Sequence, residues 1–383
     1  MTNKDGSLDD TFDGRYGGEG ISRSNEGYGE TTPFSRARQK PTQPLIQPAT
    51  QAEVMAFQGE LNPERFGHYE DWRKYKDGGH SIIYLTKDSE TGRTVAIKKH
   101  LHYMPDSADD VAAIRDAQKR YEREIAILGK MEHPGIVRAQ GYFFRTEHGI
   151  PYPYLVMEAL ETETIEDKLS RGEVSNEQEA RDALLSVGTI LDFLHTANGR
   201  PIIYRDLKPG NIKDMPRNAP WPHKLVDFSE SRIGNVTATG SVMGSWGYSA
   251  PETVGGRIAD RTTDFYSLLR IASHLLIGDK GKFMEGYFNP SFMRELQAGG
   301  DLNISEQLLK AIEKGTARSP EGRYKTIVEL AHDLGYNIER APRTREELEA
   351  ILGHRSLPIQ VKPKEERKPM EQETQTQPEN KEL

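Results

Sequence analysis

The chain has 383 residues, a net charge of −8 from 51 Lys and Arg against 59 Asp and Glu, and no cysteine. That mild acidity does not by itself suggest a nucleic-acid or membrane-surface protein, though it leaves room for local basic clusters, and the missing thiols exclude disulfides, thiolate nucleophiles and Cys-ligated zinc, so any metal must sit on oxygen or histidine. No run approaches the roughly 18 to 20 apolar residues that span a bilayer, and MTNKDGSLDD lacks the basic-then-apolar pattern of a secretory signal, which together suggest a cytoplasmic protein.

Taken in chain order, Met1 to about Pro48 is rich in Gly, Ser, Thr and Asn and is expected to be a disordered tail. Thr50 and Glu53 have capping-box spacing before Val54, Met55 and Phe57, a short helical signal. SIIYLT and RTVAIKK are β-branched runs joined by the turn-like DSETG, an antiparallel pair. Ser107, Asp109 and Asp110 open a helix whose apolar residues at 111, 114, 121, 125 and 128 keep helical spacing to about Gly129. Strand-like GIVRAQGYFF and YLVME follow. Beyond Glu158 the pattern is mostly helical: Ser175 to His195 with a capping box at Ser175 and Gln178, then YSLLRIASHLLIG and TIVELAHDLG. Thr344 and Glu347 cap a further short helix in ERAPRTREELEAIL, which reads as a solvated face or a docking element. Pro358 to Leu383 is a Lys, Glu, Gln and Pro run without periodicity, again read as disordered. A small β-rich part therefore precedes a larger helical one, with a cleft expected between them.

Chemistry concentrates in a few strings. VAIKK carries two lysines, and its period of two puts Ala96 and Lys98 on one face and Lys99 on the other. Glu124 in YEREIAIL lies one turn from Tyr121 and from Leu128 on the inward face of its helix. YRDLKPGN packs Asp206, Lys208 and Asn211 into one short stretch, and DFS brings Asp227 sixteen positions later. APE follows at 250–252. In this order the strings resemble a eukaryotic-type (Hanks-type) serine/threonine protein kinase domain over about Gly67 to Leu334.

The resemblance implies an α+β, bilobal protein-kinase fold, with a domain at 64–336 divided into lobes at 64–158 and 159–336, after a tail at 1–63 and before an appended helix at 337–357. It implies ATP and Mg2+ as cofactors and Ser or Thr hydroxyls of proteins as acceptors. Ala96 would flank the adenine, and Lys98, paired with Glu124, would hold the α/β-phosphates. Asp206 would serve as catalytic base, Lys208 would contact the γ-phosphate, and Asn211 and Asp227 would hold the metal. Nucleotide contacts also fall on Gly78, Gly79, Ser81, Glu158 and Leu160. KDGGHSIIY departs from the family's glycine-rich loop: aligned on Tyr84, the three glycine positions hold Lys76, Gly78 and Ser81. Tyr204 replaces the commoner His and would stack in a hydrophobic column with Leu128, Ile136 and Phe228. Ser229 replaces a Gly, at a cost of roughly 1 to 2 kcal/mol if the backbone there is left-handed.

The same resemblance makes Arg205 a sensor for a phosphate on Ser231, Thr237, Thr239 or Ser241, each a candidate for autophosphorylation. It gives Ser245 the acceptor-supporting place, Glu252 and Arg323 a buried structural pair, and Asp264 the anchoring of the catalytic loop. His195 and His133 read as structural. A pseudokinase or nucleotide-binding scaffold, favoured by Lys76 and Ser229, and a kinase-like small-molecule phosphotransferase remain alternatives.

Overall fold

In a computed structural model the described residues are 68–78, 81–101, 111–147, 150–234, 236–237, 247–254, 258–289 and 291–353. Both expected tails, the Thr50–Phe57 turn and the Ser107–Asp110 helix start lie outside them.

The first part is a five-stranded antiparallel sheet, in the order β1 (Tyr69–Asp77), β2 (Ser81–Asp88), β3 (Thr94–His100), β5 (Ile150–Glu158) and β4 (Ala139–Glu147). Its centre is β3, where the period of two divides the side chains between two environments. Val95 and Ile97 pack with Tyr69, Phe143, Tyr154 and Val156 on one face, while Ala96 and Lys98 turn to the other. There α1 (Val111–Leu128) presents Tyr121, Glu124, Ile125 and Leu128, all buried. The expected hairpin pairs Ser81 with His100 through Lys87 with Thr94, and the Asp88 carboxylate organises its turn by accepting from the Glu90 and Thr91 backbone N–H groups. β1 escaped sequence reading because register shifts at Glu70/Arg73 and Lys74/Lys76 break its alternation.

GIVRAQGYFF reads in the sequence as one strand, but the strand begins only at Ala139. Residues 135–137 run beside β8 (His223–Leu225), with Leu225 N donating to Gly135 O at 2.8 Å and Val137 N donating to Leu225 O at 3.0 Å. This segment therefore ties the sheet to the helical part before β4 begins.

That helical part is built around α3 (Glu177–Thr196) and α5 (Arg261–Ile277), following the short α2 (Ile165–Ser170). The cap of α3 sits one residue later than the sequence suggests. Asn176 and Glu179 form the capping box, while the Ser175 N–H is taken by Leu275 O at 2.8 Å, which pins it to α5 instead. At Gly188 a Cβ would lie 2.5 Å from Ile327 Cδ1, so glycine allows α9 (Ile327–Asp333) to approach α3 closely. Between them in sequence come α4 (Pro251–Val254), α6 (Lys280–Phe288), α7 (Phe292–Gly299) and α8 (Glu306–Gly315). Two short β pairs, β7 (Ile212–Asp214) with β8 and β6 (Ile202–Ile203) with β9 (Arg232–Ile233), hold the chain at the cleft; β10 (Val236–Thr237) pairs with β11 (Ile258–Ala259).

The appended helix is α10 (Arg345–Leu352), capped by Thr344 as expected. It is more than a solvated face, because Leu348 is fully buried and Arg345 donates to Ala219 O at 2.7 Å. The expected pair of Glu252 and Arg323 is bidentate at 2.6 and 2.8 Å, and both side chains are buried. Removing one partner leaves an uncompensated interior charge, so Arg323→Met is expected to destabilise the fold by about 3–5 kcal/mol in urea unfolding. A loss within about 0.5 kcal/mol, as for an ordinary surface change, would contradict this.

Candidate active site

Three charged groups meet where the two parts face each other. Lys98 Nζ donates to both oxygens of Glu124, at 2.8 and 2.9 Å, and to Asp227 Oδ1 at 2.8 Å. Lys98 and Glu124 are almost wholly removed from solvent. Burial opposes the lysine's charge, but the carboxylates of Asp227 and Glu124 outweigh it and raise its pKa above the ordinary value, so it stays an ammonium. Asp227 is likewise opposed by burial, yet Lys98 and the donors on Ser229 hold its carboxyl well below the usual range. Burial pushes the Glu124 carboxyl upward, with Lys98 pulling against that. Its Oε1 also accepts from the Phe228 N–H at 3.1 Å, so α1 and the DFS segment hold each other in place.

The second cluster lies on the YRDLKPGN loop. Asp206 Oδ2 accepts from Lys208 Nζ at 2.7 Å and from Asn211 Nδ2 at 3.1 Å. Asn211 Nδ2 also donates to the Asp206 carbonyl at 2.9 Å. Both donor hydrogens are thereby committed to Asp206, which leaves the amide oxygen as the group for a cation. Burial raises the pKa of Asp206, and Lys208 is the main opposing influence.

The loop is held from beneath by Asp264, which accepts from the backbone N–H groups of Tyr204 and Arg205, both at 2.8 Å, and contacts His195 Nε2 at 2.8 Å. His195 is therefore structural. Tyr204 and Phe228 meet edge to face at 5.1 Å, with Leu128 and Ile136 in the same core.

Left-handed backbone occurs at Arg205 (φ 71°) and Asp227 (φ 63°), and not at Ser229. The steric cost anticipated at Ser229 therefore does not arise there. Its hydroxyl instead donates to Asp227 Oδ1 at 2.7 Å and steadies that carboxylate. Strain of about 1–3 kcal/mol per residue falls on Arg205 and Asp227, the residues whose side chains the site must aim.

At the hinge between the two parts, Glu158 uses its carboxylate to take the Arg138 N–H at 2.8 Å and Lys224 Nζ at 2.5 Å. Leu160 is half-buried against the large core. Ala96 is buried beside Lys98 on β3. Gly78 N donates to Ser81 O at 3.0 Å and closes the β1–β2 hairpin, whereas Gly79 lies outside the described residues, as do Thr239, Ser241 and Ser245. Thr237 lies on β10. Ser231 is fully buried, with Oγ donating to Tyr204 O at 3.3 Å, and is removed from the phosphoacceptor candidates because its hydroxyl faces inward in this arrangement.

Sequence reading passed over Arg232, which joins Arg120, Arg123 and Arg205 in a basic cluster relieved by Glu230, 3.7 Å from Arg120 and 3.6 Å from Arg232. Burial and then Arg123 push Arg232 down to about 9. Lys213 was also missed. It donates to Tyr75 Oη at 3.1 Å and to Thr162 O at 2.5 Å, linking β7 to β1 across the cleft. Its signal was the period of two, which puts 213 on the face of Asn211 while Ile212 enters the core.

Among the described residues no three His, Asp or Glu side chains form a metal cage. The donor set fits a metal carried in with a nucleotide, since Mg2+ needs only one or two hard protein oxygens when phosphates and water complete its shell. Asp227 and the Asn211 amide oxygen are such donors.

A two-part fold with a lysine–glutamate pair above the cleft and an Asp–Lys–Asn loop below defines a phosphoryl-transfer architecture. Residues 69–314 match the family model of the protein kinase domain, and the chain belongs to that family. It is similar to the serine/threonine-protein kinase PknB of Mycobacterium leprae, 29% identical over 266 residues that make up 67% of this chain and 41% of the relative. The probable serine/threonine-protein kinase PknB of Corynebacterium glutamicum is 29% identical over 276 residues, 67% of this chain and 40% of that protein. PknB of Mycobacterium tuberculosis (H37Rv) is 28% identical over 267 residues, 67% of this chain and 41% of its own length. The chain thus spans about two fifths of these relatives.

Because Ser229 is not left-handed, Ser229→Gly is expected to gain no backbone relief. It should destabilise the protein by about 1 kcal/mol through the lost hydroxyl bond and added chain entropy. Urea unfolding checks this, and a stabilised glycine variant would contradict it.

Proposed function

We propose that the chain is an ATP- and Mg2+-dependent protein serine/threonine kinase that transfers the γ-phosphate to protein hydroxyls in the cytoplasm. The observation that carries this reading is the pair of charged clusters facing one cleft, Lys98–Glu124–Asp227 and Asp206–Lys208–Asn211, with every side chain that the chemistry needs present.

Phosphoryl transfer is mainly a matter of positioning and charge neutralisation. In this reading Lys98, kept charged, holds the α/β-phosphates, and Glu124 fixes where the ammonium points. Asp227 and Asn211 hold Mg2+, which when bound would neutralise phosphate charge. Asp206 accepts or orients the acceptor hydroxyl's proton, and Lys208 contacts the γ-phosphate. Ala96, Gly78, Gly79, Ser81, Glu158 and Leu160 line the nucleotide's place. A phosphate on Thr237, Thr239 or Ser241 would pair with Arg205 and its neighbour Arg232.

The scaffold reading rests on Lys76 and Ser229. Neither removes a group used above, and Ser229 supports Asp227. The small-molecule reading has no feature of its own to favour it, while the buried Glu252–Arg323 pair belongs to the architecture that such enzymes generally lack.

Transfer of labelled γ-phosphate with Mg2+ to protein acceptors is expected from the wild type, with Asp206→Asn and Lys98→Met each reducing it by at least about a hundredfold. ATP binding without transfer by the wild type would favour the scaffold. Asp206 must be ionised, so activity is lost as pH falls through its raised pKa, and the acid limb of kcat/KM lies above the ordinary 3.8. Lys208→Met removes the main influence that lowers this pKa, so the residual activity should show an acid limb at higher pH. An unmoved limb would assign it to another group.

A further inference from the structure

The loop residue Gly210, between Pro209 and Asn211, has no side chain, and the space beside it is filled from elsewhere. A Cβ there would lie 2.3 Å from Glu166 Oε2 and 3.9 Å from Glu166 Cβ, so the glutamate side chain lies along the catalytic-loop backbone. Glu166 comes from the first turn of α2, which is fixed by the Thr164–Asp167 capping box. Glu166 is an exposed residue.

Several cations of the neighbouring segments have other partners. Lys168 pairs with Asp214, Lys208 with Asp206 at 2.7 Å, and Arg171 with Glu163 and Glu173 at 2.9 and 2.7 Å. Lys213 is taken by Tyr75 and Thr162. Among the described residues no cation forms an ion pair with Glu166.

Tyr248 lies two residues before Ala250-Pro251-Glu252. Burial raises its phenol pKa, and the Glu166 charge raises it further, so the carboxylate's field reaches this segment. The Tyr248 hydroxyl meets His274 Nδ1 at 2.6 Å, and burial pushes His274 down to about 4, so the histidine is neutral and does not offset the charge. An acceptor whose hydroxyl reaches Asp206 must pass beside the 206–211 loop, where this unpaired carboxylate waits.

We propose that Glu166 is a specificity-determining residue that selects acceptor sites carrying a Lys or Arg close to the phosphorylated Ser or Thr. This rests on the kinase reading of the same site. The negative group that favours such substrates is supplied by α2, and the missing Cβ at Gly210 gives it room. An acceptor cation would give Glu166 the ion-pair partner that no described residue supplies, while acidic acceptors are repelled.

The test is a positional peptide series on the full chain, in which Lys, Ala or Glu is placed in turn at each position flanking one acceptor Ser. At one flanking position or more, wild type should prefer Lys over Ala by about two- to fivefold, the range expected of an exposed ion pair. Glu166→Gln should abolish that preference while leaving the all-alanine parent within about twofold of wild type, and Glu166→Lys should turn it towards Glu by a similar factor. Transfer with no basic preference in the wild type, or with a preference unchanged in both variants, would overturn the proposal alone. Absence of transfer to every peptide and protein acceptor would overturn the kinase reading and this proposal with it.

Discussion

Everything at the cleft depends on one buried ammonium. Lys98 joins a carboxylate on α1 to a carboxylate on the DFS segment, and so links the sheet to the helical part through three charges that would be costly to bury singly. Because a lone buried charge costs several kcal/mol, the arrangement holds together or loosens as a unit. The Glu124 bond to the Phe228 N–H extends this to the backbone, making the position of α1 and that of Asp227 one variable. In the proposed function the same coupling would let the site hold phosphate, since an ammonium kept charged and buried is little screened.

The helical part contributes a rigid floor. Asp264, fully buried on α5, accepts from two consecutive backbone N–H groups and from His195. It thereby holds Arg205 in a left-handed conformation that an L-residue otherwise avoids. The strain at Arg205 and Asp227 is maintained by this over-determined network. Ser229 at the neighbouring glycine position adds no left-handed strain, because the unusual backbone lies at Arg205 and Asp227 and the serine hydroxyl has a partner.

Much of this was legible in the sequence. The alternation of VAIKK, the helical spacing that placed Glu124 inward, and the order of YRDLKPGN, DFS and APE all correspond to contacts in the fold. What escaped did so for local physical reasons. β1 was hidden by two register shifts, the α3 cap moved because Ser175 was claimed by Leu275 O, and residues 135–137 paired with β8 instead of extending β4. Ser231 looked like any activation-segment hydroxyl until its burial was visible. The carboxylate of Glu166 over Gly210 joins residues 44 positions apart, and no periodicity within either segment announces it.

The most direct measurement is calorimetric titration of ATP, with and without Mg2+, into the wild type and Asp227→Asn. If Lys98 and Asp227 divide the nucleotide's phosphates and its metal between them, the wild type binds more tightly when Mg2+ is present and Asp227→Asn loses that gain while still binding metal-free ATP. A gain from Mg2+ that survives unchanged in Asp227→Asn would contradict the assignment of the metal to this carboxylate and the account of the cleft built on it.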